Sequence, residues 1–212
     1  MAWGLRTSDT QFNLWTECID EEERWDYDTA MLASNGYDLD VADIPSKVRF
    51  QKLRKAADPD FFRGDSGLHL ISSRLRAVLE DFDLGTSVLK DIEVVTNRGV
   101  PLETRYSALF VRDRKRCVVL EQTNYNLSAK ADLPILKSLN FLGRDRFRWS
   151  PFVNDIYGLK GSDDGVDLWL DDLVIDSWFF SDRLAKAIKK ARIKRFPIRK
   201  MTMIDGWPPP GD

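Results

Sequence analysis

Leu70-Ile71-Ser72-Ser73-Arg74-Leu75-Arg76-Ala77-Val78-Leu79-Glu80-Asp81-Phe82 joins an apolar, strand-like run to an amphipathic helix through a serine. The Ser72 hydroxyl is placed to accept an orphan amide of the first helical turn. Leu75, Val78, Leu79 and Phe82 then recur at i, i+3, i+4 and i+7, which puts one apolar stripe on one helix face. Upstream, Leu68-His69-Leu70-Ile71 reads as the strand that enters the helix, and Gly85 marks the exit.

The same order returns 109 residues later in Trp178-Phe179-Phe180-Ser181-Asp182-Arg183-Leu184-Ala185-Lys186-Ala187-Ile188-Lys189-Lys190-Ala191. Ser181 can cap, and Leu184, Ala187, Ile188 and Ala191 supply the stripe. Two serine-capped helices, each between apolar β-like segments, predict an α+β fold with an antiparallel sheet and amphipathic helices. The pattern fits two related subunits of structure within one chain, or the chance recurrence of a common cap-and-helix motif.

Outward from these units, Val88 to Val95 reads as a strand and Asn97-Arg98-Gly99 as a turn. Ser107 to Val111 and Cys117 to Leu120 predict a hairpin whose charged loop, Arg112 to Arg116, faces water. Leu133, Leu136 and Leu139 could line a short helix near Pro134, and Phe147 to Phe152 a strand that breaks at Pro151. Residues 1–66 form an N-terminal section: a strand at Gln11 to Trp15, an acidic segment from Glu17 to Asp28, then wrapping loops and short elements with turns at Asn35-Gly36, Ile44-Pro45, Asp58-Pro59 and Gly64-Asp65. Residues 67–200 are the main α+β region, and residues 201–212 end in the extended Pro208-Pro209-Pro210 tail.

Composition narrows the function classes. A net charge of −2 gives no whole-protein pull toward nucleic acid or membrane, and no apolar run approaches the roughly 20 residues of a membrane helix. The start has no basic region followed by an apolar run, and Cys18 and Cys117 alone make no disulfide framework. Both features point to a reducing, cytoplasmic setting. Cys117 opens an apolar strand and reads as buried, and a carboxylate-rich context would raise the Cys18 thiol. His69 is the sole histidine, so no histidine pair can build a zinc site, and it reads as a structural strand-end residue. Asp163, Asp164, Asp167, Asp171 and Asp172 read mainly as solvated turns, with an acid/base pair or cation site as the sharper alternative. Gly158, Gly161 and Gly165 lack the spacing of a phosphate loop. No catalytic residue, metal ligand or cofactor is expected.

Charge distribution says more than charge total. Residues 1–66 hold 14 acids and 8 bases, and residues 181–212 hold 3 acids and 9 bases. The two ends could pair within the fold or present two differently charged faces. Trp25 and Tyr27 on the acidic segment, and Lys189, Lys190 and Lys194 on the basic one, are the candidate protein-binding residues.

Both serine-capped units resemble bacterial immunity proteins of polymorphic toxin systems, in particular immunity family eleven. The likeness runs over residues 67–200, from Leu70 to Phe82 with Leu84, and from Trp178 to Ala191 with Ile193 and Phe196-Pro197-Ile198. It implies a cytoplasmic, non-enzymatic protein that neutralises a cognate protein toxin by stoichiometric binding. Ser72 and Ser181 fall at capping positions, and no catalytic serine is carried over. The alternatives from the residues themselves are a nucleic-acid-associated protein using residues 186–200 and an enzyme using the acids of residues 163–172. The sequence sets no oligomeric state.

Overall fold

The computed structural model describes residues 1–6, 16–18, 25, 27–37, 40–50, 58–64, 67–119, 123, 147–148, 156–172, 174–194 and 196–206. The predicted strand at residues 11–15, the helix near Pro134, residues 149–152 and the Pro208 tail lie outside them.

Both capped units form as expected. In the first, β4 (Phe61–Arg63) and β5 (His69–Ser72) lead into α2 (Ser73–Leu79), then β6 (Val88–Val95) and β7 (Tyr106–Phe110). In the second, β11 (Leu168–Asp171) and β13 (Ser177–Ser181) lead into α3 (Asp182–Lys190) and β14 (Arg199–Lys200). Ser72 and Ser181 are both extended, with φ of −67° and −62°, and their hydroxyls accept the Leu75 and Leu184 amides at 3.2 Å. Each strand therefore turns into its helix at the residue that caps it.

Among the described residues, one sheet has the order β2-β3-β6-β7-β5-β4 and the other β14-β1-β13-β11-β8. Here β1 is Ala2–Arg6, β2 Thr16–Cys18, β3 Lys47–Phe50 and β8 Arg114–Lys115. Within these sheets the four strands β6-β7-β5-β4 and β14-β1-β13-β11 correspond one for one, and all their pairings are antiparallel. Registers agree as well. Ser72 faces Tyr106 and Ser181 faces Ala2, while Ile71 faces Phe61 and Phe180 faces Leu168. The recurring pattern in the sequence is a structural repeat, with one rearrangement. The place held by β7 in the first repeat is taken in the second by β1, from the other end of the chain.

The pleat divides the core accordingly. Alternate side chains of a strand point to opposite faces, so one face of each sheet meets α2 and α3, and α1 packs on the opposite face of the first sheet. Phe61, Ile71, Leu75, Leu79 and Leu109 share one core with their repeat counterparts Leu168, Phe180, Leu184, Ile188 and Leu5. The intervening residues go to separate cores: Phe62 and Leu70 to one, Trp169 and Phe179 to the other. His69 and its counterpart Trp178 meet edge-on at 4.9 Å, and α2 contacts α3.

The short elements expected over residues 31–66 are present among the described residues. α1 (Tyr27–Ser34) packs so closely that a Cβ on Gly67 would sit 2.6 Å from Ala30 Cβ, and Gly67 has φ +77°. A 3-10 turn at Val41–Asp43 and strands β3 and β4 follow. The predicted hairpin does not form. β7 is sandwiched between β5 and β6, so no edge is left for residues 117–120. The chain instead crosses to the other sheet, where β8 runs parallel to β11.

The loop charges Arg112 to Arg116 accordingly do not all face water. Arg114 reaches the Asn35 carbonyl. Lys115 donates to the carbonyls of Ser162, Asp164 and Val166 at 3.2, 2.7 and 3.1 Å and lies over the Trp169 ring, and burial lowers its pKa. Smaller pairings complete the fold: β9 (Phe147–Arg148) with β12 (Val174–Ile175), and β10 (Tyr157–Leu159) with β15 (Thr202–Ile204), both parallel.

Candidate protein-binding site

Each cap is braced by an aspartate on the neighbouring strand. Asp60, just before β4, accepts the Ser72 hydroxyl at 2.8 Å, and Asp167, just before β11, accepts that of Ser181. The arginine two residues past each serine closes the group. Arg183 reaches Asp167 through two nitrogens at 2.5 and 2.6 Å, and Arg74 reaches Asp60 at 3.4 Å. Each aspartate also takes an amide from beyond the other repeat's helix: Asp60 that of Lys194 at 2.7 Å, and Asp167 that of Asp83 at 3.0 Å. The repeats thus clamp one another's helix ends. Burial alone would raise the Asp167 carboxyl, but Arg183, Ser181 and the Asp83 amide hold it below the usual range. A carboxylate so stabilised is a poor general base, and Ser181 already uses its oxygen as a cap.

The clamps fix the end of α3, where cations collect. Lys189, Lys190, Arg192 and Lys194 are exposed. Lys189 Nζ lies 3.7 Å from the centre of the Trp3 ring, and the indole N–H donates to Asp182 at 3.0 Å. Trp3 pairs across the sheet with Lys200, and direct antiparallel partners project to the same face. Trp3, Lys189 and Lys200 therefore form one half-buried aromatic with two exposed cations beside it. Arg74, from the other repeat, donates to the carbonyls of Ala191 and Arg192. The basic-tail ion pairs described, Arg183–Asp167 and Lys186–Asp182, are made with the tail's own half of the chain and not with the acidic front.

The expected binding residues therefore separate. Lys189, Lys190 and Lys194 are each exposed, at the end of α3 or just beyond it. Trp25 does not stand on an outer face: it is 8% exposed and packs edge-on against Phe110 at 6.0 Å. Flanking acids suggested a surface position, but an indole buries more apolar area than its flanks can keep wet. Tyr27 opens α1, and its side chain lies outside the described residues. Trp3 and Lys200 were not singled out from sequence; only sheet register brings them to the site.

The other chemical candidates resolve into structural roles. His69 is buried between Phe61 and Trp178, its Nε2 has no hydrogen-bond partner among the described residues, and burial followed by the Arg63 charge drives its pKa well below the ordinary value. Cys117 is buried, and burial and then Asp171 push its thiol well up. Asp167 and Asp171 are not solvated turn residues but buried at 0% and 2%. Asp171 accepts the amides of Cys117 and Val118, both at 2.8 Å, and of Val174 at 3.1 Å. Among the described residues no cluster of histidine, cysteine and carboxylate side chains is arranged to hold a metal.

Two main sheets, two serine-capped helices and a charged helix end make up an α+β fold. Residues 7–203 match the model of the Immunity protein family (Imm11), and the chain belongs to that family. The match extends over most of residues 1–66, which the resemblance at 67–200 had not included. Membership makes this an immunity protein, in a family of generally non-enzymatic proteins linked to toxins. Among curated proteins no sequence matches it significantly.

Proposed function

We propose that this protein neutralises a cognate bacterial toxin in the cytoplasm by forming a stoichiometric complex that covers the toxin's active site or substrate surface, without turnover. The observation that carries this reading is the family match over residues 7–203. Among the described residues no helix is long and apolar enough to cross a membrane. Lys189, Lys190 and Lys194 are the contact residues favoured by their exposure. The test is titration of the purified protein into the toxin encoded beside it, with toxin activity and complex mass both recorded. The expected result is inhibition that saturates at one equivalent, with a complex of matching composition. Relief of toxicity at far below one equivalent, or no complex at all, overturns the reading.

A further inference from the structure

The repeats match in backbone and invert in charge at one surface. Equivalent positions carry Glu80 and Lys189, then Asp81 and Lys190, by their equal distance from the capping serines. Asp83 and Lys194 are matched by the amide each gives to the other repeat's aspartate. Asp91 and Lys200 are matched by register, since each faces the equivalent residue, Ser107 or Trp3. The fold itself therefore does not call for cations at the end of α3; the same backbone accepts carboxylates.

The two charged surfaces also differ in compensation. In the first repeat Arg76 pairs with Glu80 at 2.7 Å and with Asp91, and Asp83 is engaged by the Gly85 amide. The position equivalent to Arg76 is Ala185, which is buried and uncharged. Among the described residues no acid pairs with Lys190, Arg192, Lys194 or Lys200. The dipole of α3 favours lysines in its last turn but falls off beyond that turn, so it does not account for Lys194 or Lys200. Like charges held together repel one another. The Trp3 contact holds the Lys189 side chain and Asp60 holds the backbone at Lys194, so part of the ordering cost is already met for a partner that supplies the opposite charge.

Resting on the immunity reading, we infer that the toxin docks a carboxylate-rich surface of its own onto this basic face. Trp3, with Lys189 over its ring and Lys200 beside it in the sheet, anchors the contact, and Lys190, Arg192 and Lys194, exposed at and beyond the end of α3, extend it. A half-buried tryptophan flanked by cations is the composition of a binding hot spot, and the charges add association rate and orientation. A nucleic-acid phosphate backbone is the competing occupant.

The experiment measures toxin affinity and association rate for the wild-type protein and for the triple variant Lys190→Glu, Lys194→Glu, Lys200→Glu. These side chains have no described partner to lose, and thermal unfolding of the variant checks that the fold is kept. Wild type should bind with an association rate that falls as salt rises, and the variant should bind about 100-fold more weakly with that salt dependence gone. The mirror variant Asp81→Lys on the first repeat should bind as wild type does. A folded triple variant that binds within twofold of wild type overturns this inference and leaves the immunity reading standing. No complex with wild type removes the immunity reading and this inference together. A mixed-sequence DNA or RNA 20-mer that binds wild type more tightly than the toxin does, with the triple variant abolishing it, assigns the face to nucleic acid and also overturns the inference.

Discussion

The β4–β7 repeat and the repeat made of β11, β13, α3, β14 and β1 follow the same backbone course, yet differ in chain order and surface charge. The helix stripes and the strand leucine in their shared interior stay aliphatic: Leu75 matches Leu184, Leu79 matches Ile188 and Leu109 matches Leu5. Their outer positions do not, as Glu80, Asp81, Asp83 and Asp91 become Lys189, Lys190, Lys194 and Lys200. A close-packed interior restricts volume and polarity, while water accommodates either sign of charge outside. The exchange of β7 for β1 shows in addition that a strand position is set by register and burial, not by order along the chain. The repeat that is closed by the far end of the chain is also the one whose surface charge is uncompensated.

The comparison breaks most readily at its core. Leu75→Ala and Leu184→Ala should each cost about 3 kcal/mol, because each empties an equivalent volume in one shared core. Urea unfolding measures this, and one substitution tolerated while the other unfolds the protein would show that the helices are not equivalent supports. The aspartates should differ. Asp167→Ala leaves the Ser181 hydroxyl and the Asp83 amide without their acceptor at a fully buried position, for a loss of about 3 kcal/mol, while the exposed Arg183 turns to water. Asp60→Ala should cost about 2 kcal/mol, since Asp60 is less completely buried than Asp167. Equal losses would mean that the deeper burial of Asp167 adds nothing.

How much of this was legible follows from what is local. β5 with α2, and β13 with α3, could be read because a cap and a helical period lie within a dozen residues. The aspartates could not, since Asp60 stands 12 residues before its serine and Asp167 stands 14 before, across turns of different length. Nothing in Ala2-Trp3-Gly4-Leu5-Arg6 resembles Tyr106-Ser107-Ala108-Leu109-Phe110 except the leucine that both send to the common core. Lys189, Lys190 and Lys194 stood out as charge, whereas Trp3 and Lys200 joined them only through pairing across nearly the whole chain. The Ser107–Leu120 hairpin failed for the converse reason: two good strand segments were adjacent in sequence, but the first already had a neighbour on each side.

His69 and Trp178 sharpen the comparison through pH. They are equivalent, touching and buried, but only one can take a proton. The folded state holds His69 neutral, with Arg63 the nearby like charge and Asp176 paired to that arginine at 3.4 Å. A depressed histidine pKa means that the unfolded chain binds the proton first. Its stabilising neutral form therefore counts fully above the ordinary value of 6.5 and loses ground as pH falls below it. The loss should be about 1.4 kcal/mol per pH unit until the folded-state pKa is reached. His69→Phe should flatten that part of the pH–stability curve. A curve of unchanged slope would place the acid sensitivity elsewhere.

The caps give the smallest effect and the finest test. Ser72→Ala and Ser181→Ala should each cost about 1 kcal/mol, through the lost bonds to the Leu75 and Leu184 amides. Each serine also donates to an aspartate, so cap and brace are coupled and their losses should not add. A double-mutant cycle of Ser72 with Asp60 reports that coupling in the first repeat, and one of Ser181 with Asp167 reports it in the second. The second should be the larger, because Asp167 is fully buried and the alanine at residue 181 leaves it with one donor fewer where water cannot replace it. Fully additive losses in both repeats would mean that the capping serine and the clamping aspartate act independently. The likeness of the two units would then lie in their sheets and helices alone.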